Sequence, residues 1–223
     1  MSVVGTVSEA TSTQRRDALI WIDCEMTGLD PETDSIIEIF CLITDGQLEL
    51  LDEPGWGTVV HQSRERMDMM DEWCARVHGE SGLTAAVIDS AVTPQQAADS
   101  LLAYIQKHVP EKGVALLAGN SVHADQAFLR KGPYKRVLNH LHYRILDVSS
   151  IKEAARRWWS LETTPIPLPQ HLSRAHTVLT QTSPQVASAA PHKRGLHKAK
   201  QDILESIEEA RFYRAAVFQP TRT

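Results

Sequence analysis

Apolar and polar residues alternate with two periods along the chain, and the change of period divides it. Ala18–Cys24 is almost wholly apolar and β-prone through Leu19, Ile20, Trp21 and Ile22, which predicts a buried strand. The turn-rich stretch Thr27–Pro31 breaks it, and Ser35–Thr44 reads as a second strand. Asp45-Gly46 is a hairpin signal, which makes Gln47–Leu51 the return strand, and Thr58–His61 a third strand. Helical spacing takes over afterwards. Met67–Val77 is a short helical stretch. Thr93-Pro94-Gln95-Gln96 combines an N-cap, a proline at the first helical position and a glutamine placed for a capping box. Behind it Ala97, Leu101, Leu102 and Ile105 fall on one face, predicting a helix to about His108. Val114–Ala118 reads as a strand ending at Gly119-Asn120-Ser121, Asp125–Lys131 as the start of a helix, Tyr143–Leu146 as a strand and Val148–Trp159 as a helix. Leu196–Phe218 is a closing helix with Ile203, Ile207 and Ala210 on its apolar face. Strands first, then helix and strand in alternation, predict one α/β domain with a mixed sheet, over 18–218.

Ser160–Gly195 interrupts this pattern. It holds five of the eleven prolines and a single acid, Glu162, and reads as a long surface loop inserted in the domain. The first 17 residues are rich in serine and threonine, with Arg15 and Arg16 near their end, and read as a disordered tail or a mitochondrial targeting segment. Residues 219–223 form a short C-terminal tail.

Composition narrows the function. At 223 residues the chain is long enough to bury a core unaided. No apolar run approaches the ~18 residues of a membrane span, so no membrane partner is expected. A net charge of −5 excludes a general electrostatic binder of long nucleic acid. A short anion gripped locally remains compatible with it. Cys24, Cys41 and Cys74 are widely spaced and form no C-x-x-C pair, which points to a reducing, intracellular compartment rather than a disulfide framework.

The acids carry the candidate chemistry. Asp23 and Glu25 stand two apart at the end of the first strand, so both project from one face. Two crowded carboxylates call for a cation between them, and Mg²⁺ and Mn²⁺ favour such hard oxygen donors. A solvated strand end is the plainer alternative. A phosphotransferase with an Asp-x-Asp pair is another, weakened by Glu25 in the second position. Asp125 follows a later strand and could equally be an acid satisfying a helix N-terminus. His197 and Asp202 are five residues apart, ~140° around a helix. They converge only if His197 lies in the loop or first turn.

Taken in order, Asp-x-Glu on a strand, a later Asp, then His-x₄-Asp on the final helix is the DEDD exonuclease pattern in its histidine variant. The stretches WIDCEMTGLD (21–30), IIEIFCLITDG (36–46), AGNSVHAD (118–125), LHYRILDVSSIKE (141–153) and HKAKQDILESI (197–207) resemble the oligoribonucleases. That resemblance covers roughly 18–159 and 195–218. It implies a ribonuclease-H-like fold, a mixed sheet flanked by helices, and a 3′→5′ exoribonuclease acting on very short RNA with two divalent cations, Mg²⁺ or Mn²⁺. It makes Asp23, Glu25, Asp125 and Asp202 the metal carboxylates and His197 the general base. Leu29 becomes the residue that wedges against the bases and Trp73 the aromatic that stacks on one, with His78 in the same substrate region. Ser121, Tyr143, Arg144 and Ser149 become the cap on the 5′-phosphate, Tyr143 and Arg144 acting in trans across a homodimer. A cytoplasmic or mitochondrial location goes with it.

The chain departs from that family in two places. Gln201-Asp202 stands where two adjacent acids are usual, so Asp202 alone can serve. The loop 160–195 is longer than expected and leads straight into His197. Two rival readings are a general DEDD exonuclease on DNA or longer RNA, and a relative that binds RNA or a protein without cleaving.

Overall fold

A computed structural model describes residues 17–158, 190–191 and 199–218. Residues 1–16, nearly all of the loop 160–195, His197 and the tail 219–223 lie outside the described residues. Five strands form one sheet: β1 Leu19–Met26, β2 Ile36–Thr44, β3 Trp56–Val59, β4 Leu116–Gly119 and β5 Ile145–Asp147, in the order β3-β2-β1-β4-β5. The sheet is mixed, since β1 pairs antiparallel with β2 and parallel with β4. The helices are α1 Arg64–Met67, α2 Glu72–Glu80, α3 Leu83–Asp89, α4 Pro94–His108, α5 His123–Leu129, α6 Lys135–His140, α7 Val148–Trp158 and α8 Ala199–Tyr213, with a 3₁₀ turn at Gly132–Tyr134 and a π turn at Arg214–Phe218.

The central strand explains the layering. Its side chains alternate between two hydrophobic cores, one on each face of the sheet. Ile20, Ile22 and Cys24 enter the core built with Ala97, Leu101 and Ile105 of α4 and Phe128 and Leu129 of α5. Leu19 and Trp21 enter the other, with Val148 and Ala155 of α7 and Ile203, Ile207 and Ala210 of α8. Trp21 is wholly buried there and its indole N–H donates to the Thr44 hydroxyl at 3.0 Å. A third, smaller cluster joins Ile37 to Met67, Leu83 and Val87 beneath α1 and α3.

The mixed α/β sheet and most elements match the sequence pattern, and the Thr93 capping box forms as its residues predict. Four elements differ. The return strand at Gln47–Leu51 is reduced to one bridge, Thr44 to Leu50. The Asp45 carboxylate accepts from the Gln47 and Glu49 amides, and Leu48 takes a positive φ, so the backbone turns instead of extending. Met67–Val77 is two helices, because the Asp71 carboxylate caps a fresh start by accepting from the Cys74 amide. The third strand runs from Trp56 to Val59 rather than from Thr58 to His61. β5 begins at Ile145, leaving Tyr143 and Arg144 in the segment that leads into it. Helices α3 and α6 were not expected. The three cysteines, Cys24, Cys41 and Cys74, are free thiols and buried. Among the described residues, no helix is long and apolar enough to cross a membrane.

Candidate active site

Asp23 and Glu25 continue the face of β1 that carries Leu19 and Trp21, so they emerge on the side where α8 packs. Asp202 lies in the first turn of α8, one residue before Ile203, which anchors that helix in the core. One carboxylate oxygen from each of Asp23, Glu25 and Asp202 lies within 4.8 Å of the others. All three are half-buried. Burial and the neighbouring negative charges of Glu38, Asp202 and Asp125 raise the Glu25 carboxyl to about 8. Hard oxygen donors crowded to this degree are the donor set a divalent cation neutralises, so the residues fit such an ion.

Asp125 reaches the same strand end from the opposite face. It sits in the first turn of α5, beside Phe128 and Leu129 of the other core. Pairing between β1 and β4 stops at Trp21 and Ala118, so β1 runs on beyond its neighbour. There the Cys24 amide donates to Asp125 Oδ1 at 2.9 Å. Burial raises the Asp125 carboxyl to about 7, against the lowering effect of the Cys24 hydrogen bonds. Asp125 is outside the three-carboxylate group and couples to it through Glu25, whose proton it helps to retain.

The segment after β1 carries Leu29, the most exposed large apolar side chain among the described residues at 85%. Its loop is tied down at the base. Thr27 donates to Asp34 Oδ1 at 2.9 Å, and the Arg66 guanidinium meets Asp34 Oδ1 at 2.7 Å and the Thr33 carbonyl at 2.9 Å. Trp73 is half-exposed on α2, the helix whose His78 contacts the end of β1. His78 is buried on α2, its Nε2 2.9 Å from the Met26 carbonyl, so it holds the end of β1. Sequence alone does not distinguish that anchoring contact from contact with a ligand.

Ser121 and Ser149 come together beyond β4 and β5. Their hydroxyls are 3.1 Å apart, and the Ser121 amide donates to Ser149 Oγ at 2.9 Å and to Asp147 Oδ1 at 3.0 Å. Ser121 has φ +52°, a conformation costly for a residue with a Cβ, and those two acceptors hold it there. Tyr143 is exposed, with the Arg144 guanidinium 5.2 Å from its ring centroid. Sequence reasoning missed Asn120, Ser206 and Glu209, which connect these parts. A buried glutamate on an amphipathic helix gives no signal in the hydrophobic pattern.

A mixed sheet with carboxylates gathered at the end of its central strand defines a nuclease-like fold, and the family model described as Exonuclease matches residues 20–210. Solved structures share the fold. Exonuclease I from Methylocaldum szegediense is 21% identical with a TM-score of 0.52, over 88% of this chain and 40% of that chain. E. coli exonuclease I in complex with a dA16 oligonucleotide is 14% identical with a TM-score of 0.55, over 91% and 42%. The present chain thus spans about two fifths of those proteins. Curated relatives are much nearer in sequence. "Oligoribonuclease, mitochondrial" of Mus musculus is 41% identical over 215 residues, 96% of this chain and 79% of the relative. The Saccharomyces cerevisiae protein of that name is 42% identical over 208 residues, 91% and 68%, and the oligoribonuclease of Corynebacterium glutamicum 40% over 204 residues, 92% and 81%. The chain belongs to the oligoribonuclease family of exonucleases.

Proposed function

We propose that this 3′→5′ exoribonuclease acts on very short RNA, 5′-phosphorylated dinucleotides above all, and releases nucleoside 5′-monophosphates. The observation that carries the reading is the convergence of Asp23, Glu25 and Asp202 within 4.8 Å at the end of the central strand of an oligoribonuclease-family chain. With Asp125 beside them, these carboxylates would hold two divalent cations, Mg²⁺ or Mn²⁺. When bound, such ions supply an activated water and neutralise charge on the leaving oxygen. The chain's own residues do the rest. Asp23, Glu25 and Asp202 would hold the cations, whose charge draws in the scissile phosphate that the carboxylates alone would repel. His197 takes the proton of the attacking water, a task suited to an imidazole that is neutral near pH 7.

Leu29 and Trp73 grip the bases, and their exposure supports this role. The hydroxyls of Ser121 and Ser149 hold the terminal phosphate. Tyr143 and Arg144, supplied by a second subunit of a homodimer, cover it. Their position ahead of β5, exposed and stacked together, supports a role outside their own subunit. The location is cytoplasmic or mitochondrial, in keeping with relatives named mitochondrial and others from bacteria.

The test is product analysis. Incubation of 5′-phosphorylated diribonucleotide with Mn²⁺ should yield mononucleotides, cease with chelator and resume on metal addition. Binding without cleavage under those conditions would refute the reading.

A further inference from the structure

Behind the exposed cap lies a part-buried polar chain, closed by the buried Ser206 and Glu209, that no step above uses. Asn120 follows β4 directly. Its side-chain amide nitrogen donates to Ser206 Oγ at 3.1 Å and to Glu209 Oε2 at 2.9 Å, both on α8. Its side-chain oxygen accepts from Ser149 Oγ at 3.0 Å, on α7. Ser206 Oγ in turn donates to the backbone carbonyl of Asp202 at 2.7 Å. Glu209, 1% exposed, is joined on its other oxygen by Lys152 at 3.2 Å.

We infer that Asn120 is a positioning residue that couples the helix bearing Asp202 to the serines gripping the terminal phosphate. Three of the four hydrogen bonds open to an asparagine amide are made, two toward α8 and one toward α7. One planar group therefore sets two distances at once. Through Ser206 it fixes the turn of α8 that presents Asp202. Through Ser149 it fixes the hydroxyl that Ser121 meets. Glu209 explains why the coupling is stiff. A buried carboxylate is tolerated only with its partners in place, so the α8 end of the chain cannot drift without stranding a charge. The cap half of this inference rests on the reading of Ser121 and Ser149 as phosphate contacts.

The experiment compares Asn120→Ala and Ser206→Ala with wild type in two assays. The first is the ratio of kcat/KM for 5′-phosphorylated over 5′-hydroxyl diribonucleotide. The second is Mn²⁺ affinity by calorimetry without substrate. Asn120→Ala should lower the ratio and the affinity each by about three- to tenfold, the scale of one hydrogen bond. Ser206→Ala should weaken Mn²⁺ binding and leave the ratio within about twofold, because the Asn120–Ser149 contact survives. A folded Asn120→Ala protein with wild-type ratio and wild-type Mn²⁺ affinity overturns the coupling alone. A wild type with no 5′-phosphate preference overturns the cap reading and the coupling with it. Should Asn120→Ala fail to fold, unchanged Mn²⁺ affinity in Ser206→Ala overturns the inference.

Discussion

The Cys24 amide donates to Asp125 Oδ1, so the residue between Asp23 and Glu25 fixes a third acid from the other side of the sheet. This gives Asp125 a structural duty separable from its charge. Asp125→Asn keeps a carbonyl oxygen for that amide and should hold its melting temperature while losing activity by at least ~10²-fold. Asp125→Ala strands a buried N–H and should cost a further ~1–3 kcal/mol in chemical denaturation. Equal stability of the two variants would contradict the assignment.

The metal-free protein should lose stability as pH rises from the ordinary Glu range toward about 8. Glu25 has a raised folded-state pKa, so below 4.5 both states are protonated and no penalty exists. Above that the unfolded chain ionises first, and the penalty is complete once pH passes about 8. Glu25→Gln should lessen this slope in melts run with chelator, and the raised Asp125 carboxyl should keep the remainder up to about pH 7. Mn²⁺ binding should release protons and tighten across the same window. A chelated wild type with a pH-independent melt over that range would remove the basis for this expectation.

Arg66→Ala should loosen the loop that presents Leu29. Arg66 and Asp34 are only 21% and 16% exposed, so the loss should reach about 1–2 kcal/mol, within the span for hydrogen bonds to charged groups. KM should rise several-fold with kcat nearly kept, since binding and not chemistry is touched. A fall in kcat at constant KM would place Arg66 elsewhere in the mechanism.

If His197 is the base proposed above, His197→Ala should lower the rate ~10²–10⁴-fold and leave calorimetric metal binding intact. Loss of metal binding would make it a ligand.

Substrate length should matter steeply. Efficiency should be highest on the 5′-phosphorylated dinucleotide and fall at least ~tenfold by about five nucleotides, because a longer strand gives up the terminal-phosphate bonds. Arg144→Ala should flatten that profile. Mixing Asp23→Asn with Arg144→Ala subunits should restore part of the activity if Arg144 works in trans. A flat wild-type profile from two to ten nucleotides favours a general exonuclease.

Much of this was legible residue by residue. The alternation of Leu19, Trp21, Asp23 and Glu25 assigns two acids to one face, and Ile203 and Ile207 seat the helix that carries Asp202. The Asp125 contact was not legible, since it exists because β1 outruns β4, a matter of register between segments distant in sequence. Glu209 escaped for a related reason. Its burial depends on an asparagine in another element, and no local pattern distinguishes it from a solvated acid. His78 was legible as a residue of that region, and the contact it makes was not.

The three-acid cluster draws on β1 and α8, the first and last regular elements before the terminal π turn among the described residues. An unfinished chain on the ribosome therefore carries Asp23 and Glu25 with no Asp202 to complete them. Contacts of such wide sequence separation also form late in folding, after the entropy of closing the intervening chain is met. A newly made molecule thus lacks the complete three-acid cluster until synthesis passes α8 and that helix docks.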